Sequence, residues 1–104
     1  MFTSDPDATP RRSGERLGEF VQVTFEVPAG VARRHAELVA EFALWSPLAM
    51  DRSRDGSHRV TVLLARGRRW RYQFVVDYGR RITDPRAGWY EHTPSWGDVS
   101  VINV

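Results

Sequence analysis

Aromatic rings and carboxylates are the side chains of this chain with the most evident chemical potential, and their contexts separate them. Trp45 follows an apolar run and is flanked by Ser46-Pro47, a setting in which a ring can be held out of a core. An exposed ring of this kind packs its flat face against the apolar C–H face of a sugar, while nearby amide or charged donors fix the hydroxyls. The same ring could equally plug one end of a packed interior. Trp89, Tyr90 and Trp96 fall in one long stretch and carry the same two possibilities, surface platform or lid over the core.

The carboxylates point elsewhere. Glycoside hydrolysis normally takes two carboxyl groups flanking a cleft, one as acid and one as base or nucleophile. Glu41, Asp77, Asp84 and Glu91 are the available acids in the half of the chain that carries the aromatic segments. Asp77 precedes Tyr78-Gly79 and Asp84 precedes Pro85, contexts in which a short carboxylate caps backbone amides, so both are assigned to turns. His35, His58 and His92 are far apart and match no metal-ligand spacing. Ser46, Ser57, Ser95 and Ser100 lie in no nucleophile-elbow context. The chain is therefore read as non-enzymatic, with no catalytic residue, no metal and no cofactor.

Composition narrows the classes further. At 104 residues there is room for one small domain. All basic residues are arginine, which excludes lysine nucleophiles and Schiff bases. Cysteine is absent, which excludes disulfides and fits a cytoplasmic setting. No stretch approaches the roughly 18 apolar residues of a membrane-spanning helix, so no membrane partner is expected. The cluster Arg66, Arg68, Arg69 and Arg71 interleaves with Trp70 and Tyr72, a pattern seen in single-strand binders. Alternation places those two rings with Phe74 and Val76 on the core side, so no nucleic-acid partner is expected.

The elements that must position these residues are strands. Residues 1–18 are rich in Ser, Asp, Pro, Gly and Arg, lack an apolar signal region, and are read as a disordered leader before a domain spanning 19–104. Val21, Val23, Phe25 and Val27 alternate with polar residues as a half-buried strand. Residues 35–42 place Ala36, Leu38, Ala40 and Phe42 on one face; their composition also suits a helix, but the period of two favours a strand. Residues 46–57 are read as a polar loop. Strand 58–65 directs Val60, Val62 and Leu64 inward, and strand 69–76 directs Trp70, Tyr72, Phe74 and Val76 inward, the two forming a hairpin. A short strand near 81–83, a long loop over 84–97 and a terminal strand over 99–104 complete an antiparallel sandwich of about seven strands. With the last strand at the end of the sequence, the module is expected to stand alone.

Two segments carry a resemblance to a known family. Ala40-Glu41-Phe42-Ala43-Leu44-Trp45 resembles a Gly-x-Phe-Asn-x-Trp turn. Tyr72-Gln73-Phe74-Val75-Val76-Asp77-Tyr78-Gly79 resembles Tyr-Lys-Phe-x-Val-Asp-Gly with one residue inserted. Asp84-Pro85, Trp96-Gly97 and the closing Val99–Val104 segment fit the same pattern. Together they are similar to the glycogen-recognition (family-48) carbohydrate-binding modules of AMP-activated kinase β subunits and of isoamylase and branching-enzyme N-terminal domains. The resemblance covers about 20–104 and implies an immunoglobulin-like, early-set β-sandwich that binds an α-glucan without catalysis. Trp45 takes the place of the family's first ligand tryptophan. The second falls at Arg81, the family lysine at Gln73 and the family asparagine at Val99. The implied sugar contacts are thus stacking on Trp45, with Gln73 and Arg81 as hydroxyl partners. The alternative is a protein-interaction sandwich, without a sugar site, that uses an exposed strand edge or the aromatic 89–96 loop.

Overall fold

A computed structural model describes residues 11–17 and 19–104 of the chain, the former as backbone only. It is all-β and antiparallel, with ten strands in two sheets. The smaller sheet runs in the order β1 (Arg11–Leu17), β2 (Phe20–Val27), β6 (His58–Ala65), β5 (Asp51–Arg52). The larger runs β4 (Leu48–Ala49), β3 (Ala36–Ala40), β7 (Arg69–Val76), β10 (Gly97–Asn103), β9 (Trp89–Thr93), and β8 (Arg80–Ile82) also pairs with β7.

Alternation builds the interior as the sequence suggests. Val21, Val23, Phe25 and Val27 on β2 are all buried. They belong to one cluster with Leu38, Tyr72, Phe74, Val76 and Ile102 of the larger sheet. Phe25 lies at the seam, edge-on to Tyr72 with ring centroids 4.9 Å apart and 5.9 Å from Phe42. Burying a ring of this size contributes about 3 kcal/mol, with edge-to-face geometry adding to it.

Strands 58–65 and 69–76 do not form the expected hairpin: β6 pairs with β2 and β7 with β3, so residues 66–68 connect the two sheets. Four strands also depart from the expected map. Arg11–Leu17, assigned by composition to the leader, pairs with β2, with an irregularity between Arg12 and Arg16. Partner strands can impose extended structure that local composition does not favour. Residues 1–10 and 18 of that segment lie outside the described residues. The 46–57 segment is a crossover rather than a plain loop: β4 pairs with β3 of one sheet and β5 with β6 of the other. Met50, between them, is buried in the common core. The 84–97 segment contains β9, which pairs with β10 from Trp89↔Val101 to Thr93↔Gly97. No helix among the described residues is long and apolar enough to cross a membrane.

Strand β7 organises the rest. One of its edges is filled by β3; the other is divided, with β10 along Arg69–Tyr72 and β8 along Phe74–Val76. Gln73 sits at the junction, where neither neighbour has a paired residue. Because side chains alternate across a sheet, Tyr72 faces the core and Gln73 faces outward.

Candidate functional site

The outer face of the larger sheet is where the chemistry collects. Paired residues share a face, so Val39, Gln73, Val75, Arg71, Arg81, Val99, Val101, Trp89 and Glu91 all belong to it. An outer face ordinarily meets water, yet Val39, Gln73, Val99 and Val101 are buried and Gln73 is only 3% exposed. Other side chains must therefore cover this row.

Two turns supply the cover. After β3 the chain makes a 3-10 turn, Glu41–Ala43. The Leu44 N–H donates to the Glu41 carbonyl at 2.9 Å, and the Trp45 N–H donates to the Ala40 carbonyl at 2.8 Å. This bond pair is that of a Schellman closure, in which glycine commonly holds the left-handed position. Here Leu44 and Trp45 hold φ of 54° and 62°, conformations that cost non-glycine residues about 1 kcal/mol each. The strained turn carries Trp45 away from the interior, where it is half-buried.

The second turn is the β9–β10 hairpin loop, Pro94-Ser95-Trp96, closed by Gly97 at φ 71°. The Thr93 hydroxyl accepts the Trp96 N–H and donates to the Gly97 carbonyl, both at 3.0 Å. Trp96 stacks on Trp45 with ring centroids 5.5 Å apart and planes 15° from parallel. The Arg81 guanidinium lies 4.1 Å from the Trp96 ring centre, within cation–π range. Gln73 holds the group together. Its amide donates to the carbonyls of Trp96 at 3.0 Å and Asp98 at 2.8 Å, and its oxygen accepts from Arg81 Nη1 at 2.9 Å.

The structure thus gathers Trp45, Gln73, Arg81 and Trp96 from four separate segments. Gln73 does not offer its amide outward, as expected of a hydroxyl partner. It is buried and both amide hydrogens are used internally, so it acts as a positioning residue. Trp89, 58% exposed, shares the outer face but pairs with Val101. That is four rungs, about 13 Å, from the hairpin turn. Tyr90 pairs with Ser100 on the opposite face, and its hydroxyl donates to the Asp84 carbonyl at 2.6 Å. The three residues of the 89–96 segment therefore do not form one platform; only Trp96 joins Trp45.

Two further outer-face arginines are paired. The Glu41 carboxylate accepts three bonds from Arg71, from the backbone N–H at 2.7 Å, Nε at 3.0 Å and Nη2 at 2.7 Å. Burial would raise the Glu41 pKa, but the Arg71 bonds overcome it and hold the carboxyl below its ordinary value. Arg69 pairs with Glu91.

The acids expected in turns are found there. Asp77 accepts the N–H groups of Arg34 at 2.7 Å and Arg33 at 2.9 Å, which lower its pKa. Asp84 is buried, receives the Tyr72 hydroxyl at 2.7 Å and the Arg86 N–H at 2.8 Å, and donates its own N–H to Ser100 Oγ at 2.7 Å. Burial pushes the Asp84 carboxyl up, against those donors. Among the described residues no group of three or more His, Asp or Glu could hold a metal ion. No family model matches the chain, and no curated protein matches it.

Proposed function

We propose that this protein is a non-catalytic α-glucan recognition module of the immunoglobulin-like, early-set type, acting in the cytoplasm on glycogen or malto-oligosaccharide. The observation that carries this reading is the Trp45–Trp96 pair, near-parallel rings standing on the outer sheet face beside Arg81. A partly exposed Trp45 ring, with Trp96 stacked against one face and a charged donor beside the pair, suits a sugar ring whose C–H face stacks while its hydroxyls bond outward. In this reading Trp96, arriving from the β9–β10 hairpin, backs the Trp45 ring rather than replacing the ring missing at position 81. Arg81 becomes the polar partner instead, and Gln73 sets both in place. Retarded migration through a native gel containing glycogen, lost in Trp45→Ala, is the expected result. Unretarded migration of a folded protein refutes the reading.

A second reading is favoured by a different strand. β9 ends the larger sheet and carries Trp89 and Tyr90, 58% and 44% exposed. A strand edge of this kind can take up a strand from a protein partner. Absence of retardation together with a concentration-dependent rise in mass would favour it.

A further inference from the structure

We infer that the platform selects sugars bearing an anionic substituent, a phosphate or a carboxylate, and that Arg81 receives that group. The inference rests on the sugar-binding reading above and narrows its ligand class.

The argument begins with a charge inventory of the outer face. Arg71 is held by Glu41, and Arg69 by Glu91; Glu37 lies in the same row as Arg81 but across Val75, and among the described residues it makes no ion pair with it. Arg81 is the arginine beside the rings, and among the described residues it has no carboxylate partner. The acid nearest the platform in sequence, Asp98, is directed elsewhere: its carboxylate lies 3.0 Å from His92 Nδ1. By the pairing of His92 with Asp98, one position from Val99, that contact is on the opposite face.

An unpaired surface arginine is ordinary; a fixed one is less so. Arg81 is exposed, yet its guanidinium is restrained twice, by stacking over Trp96 and by the bond from Nη1 to Gln73. Gln73, in turn, is buried and anchored to two carbonyls, so it cannot swing away. One N–H of the guanidinium fork is thereby engaged, and the others have no protein acceptor among the described residues. A planar fork held in position, with its charge unneutralised, matches the oxygens of a phosphate or carboxylate in a paired geometry. A neutral hydroxyl uses one donor and leaves the charge uncompensated. Much of the rotamer entropy of the arginine is already lost in the unliganded protein, which favours affinity for a group of matching shape.

Calorimetric titration of the full chain with three probes of equal length tests this: maltoheptaose, the same chain phosphorylated at C6, and the same chain oxidised at C6 to the uronate. At low salt the anionic probes should bind roughly ten-fold or more tightly than the neutral one, with the tighter of the two identifying the group. Arg81→Gln should reduce anionic affinity to the neutral level, and Arg81→Lys should restore part of it. Equal affinity for all three probes overturns the inference and leaves the glucan reading intact. An anionic preference that survives Arg81→Gln also overturns it, because the preference then belongs to other arginines. Binding of the anionic probes alone supports it and corrects the glucan reading to a charged sugar. Binding of none refutes both.

Discussion

Tyr72 and Gln73 are neighbours on one strand, face opposite sides of one sheet, and anchor two polar networks of different character. The inner one is closed. The Tyr72 hydroxyl, the Asp84 carboxylate and the Ser100 hydroxyl are buried and bonded to one another or to nearby backbone. The outer one is open. Gln73 is as fully engaged as Tyr72, but it ends in an exposed guanidinium with donors unused and in a Trp96 ring 38% exposed. A network that satisfies all its groups internally can only hold a structure together; one with oriented, unsatisfied groups at the surface is able to bind. The networks also brace the same junction, because Asp84 leads from β8 toward β9 while Gln73 fixes the hairpin joining β9 to β10.

Breaking the closed network should have the largest effect. Asp84→Ala leaves the buried Tyr72 hydroxyl and the Arg86 N–H without their acceptor, a loss of about 3 kcal/mol. Chemical denaturation should show the reduced midpoint. Tyr72→Phe, which preserves the ring packing, should cost nearer ~1 kcal/mol. A cost for Asp84→Ala below that of Tyr72→Phe would show that the carboxylate is not the hub.

Gln73→Ala separates the two networks. It releases the Trp96 and Asp98 carbonyls and the Arg81 tether together, and should lower stability by about 2 kcal/mol. Its more telling effect is on the rings: the Trp96 hairpin loses its anchor, so the tryptophan fluorescence spectrum should shift to the red and quenching by acrylamide should rise. Asp84→Asn, examined in the same way, should leave the platform fluorescence close to that of the parent. Equal fluorescence changes in the two variants would mean that the outer network is not a separate unit.

The closed network was far more legible in the sequence than the open one. Tyr72, Phe74 and Val76 declare their face by alternation, and Asp84-Pro85 declares a turn, so local patterns were enough. Gln73 looks like an ordinary solvent-facing residue because its phase on β7 is polar. It is buried because the β9–β10 hairpin and Arg81 close over it where β10 leaves β7 and β8 begins, an arrangement created by long-range pairing. The Trp45–Trp96 partnership is hidden for the same reason. The two rings are brought together by Ala40 in one turn and by a hairpin whose strand, Trp-Tyr-Glu-His-Thr, shows no apolar alternation. A resemblance based on individual positions registers a missing ring at 81 but not a ring arriving from elsewhere. What local signal existed was Pro94-Ser95-Trp96-Gly97, proline and glycine bracketing a tryptophan, which marks a tight turn with an aromatic at its tip.

The turn that presents Trp45 offers a smaller test of whether the open side carries strain. Leu44 occupies the left-handed position of the Schellman closure at φ 54° and is 88% exposed, so its side chain contributes little packing. Leu44→Gly should remove the conformational penalty, offset in part by greater unfolded-state entropy, for a net gain of about 0.5 kcal/mol. Thermal unfolding should show the rise while sugar affinity is unchanged. A fall in affinity instead would mean that the strained turn is needed to aim the ring.

The smallest effect concerns acid, where the two networks should respond with opposite signs. On the outer side, Glu41 is held below its ordinary value of 4.5 by Arg71. Its folded-state pKa is lower than its unfolded one, so it contributes stability above pH 4.5 that is lost as pH falls through the folded value. On the inner side, Asp84 is raised above its ordinary 3.8 by burial. Its contribution is fully present below 3.8 and is lost as pH rises through the folded value, so acidification through that range relieves a cost. Thermal midpoints measured from pH 6 downward should therefore fall less steeply in Glu41→Gln than in the parent, and more steeply in Asp84→Asn. Asp77, lowered by the Arg34 and Arg33 N–H groups, should act with the sign of Glu41, its contribution being lost below 3.8. If both substitutions changed the slope in the same direction, Asp84 would be a carboxylate stabilised in its charged form. The inner network would then be an ion-binding arrangement like the outer one, and the contrast between the two faces of β7 would fail.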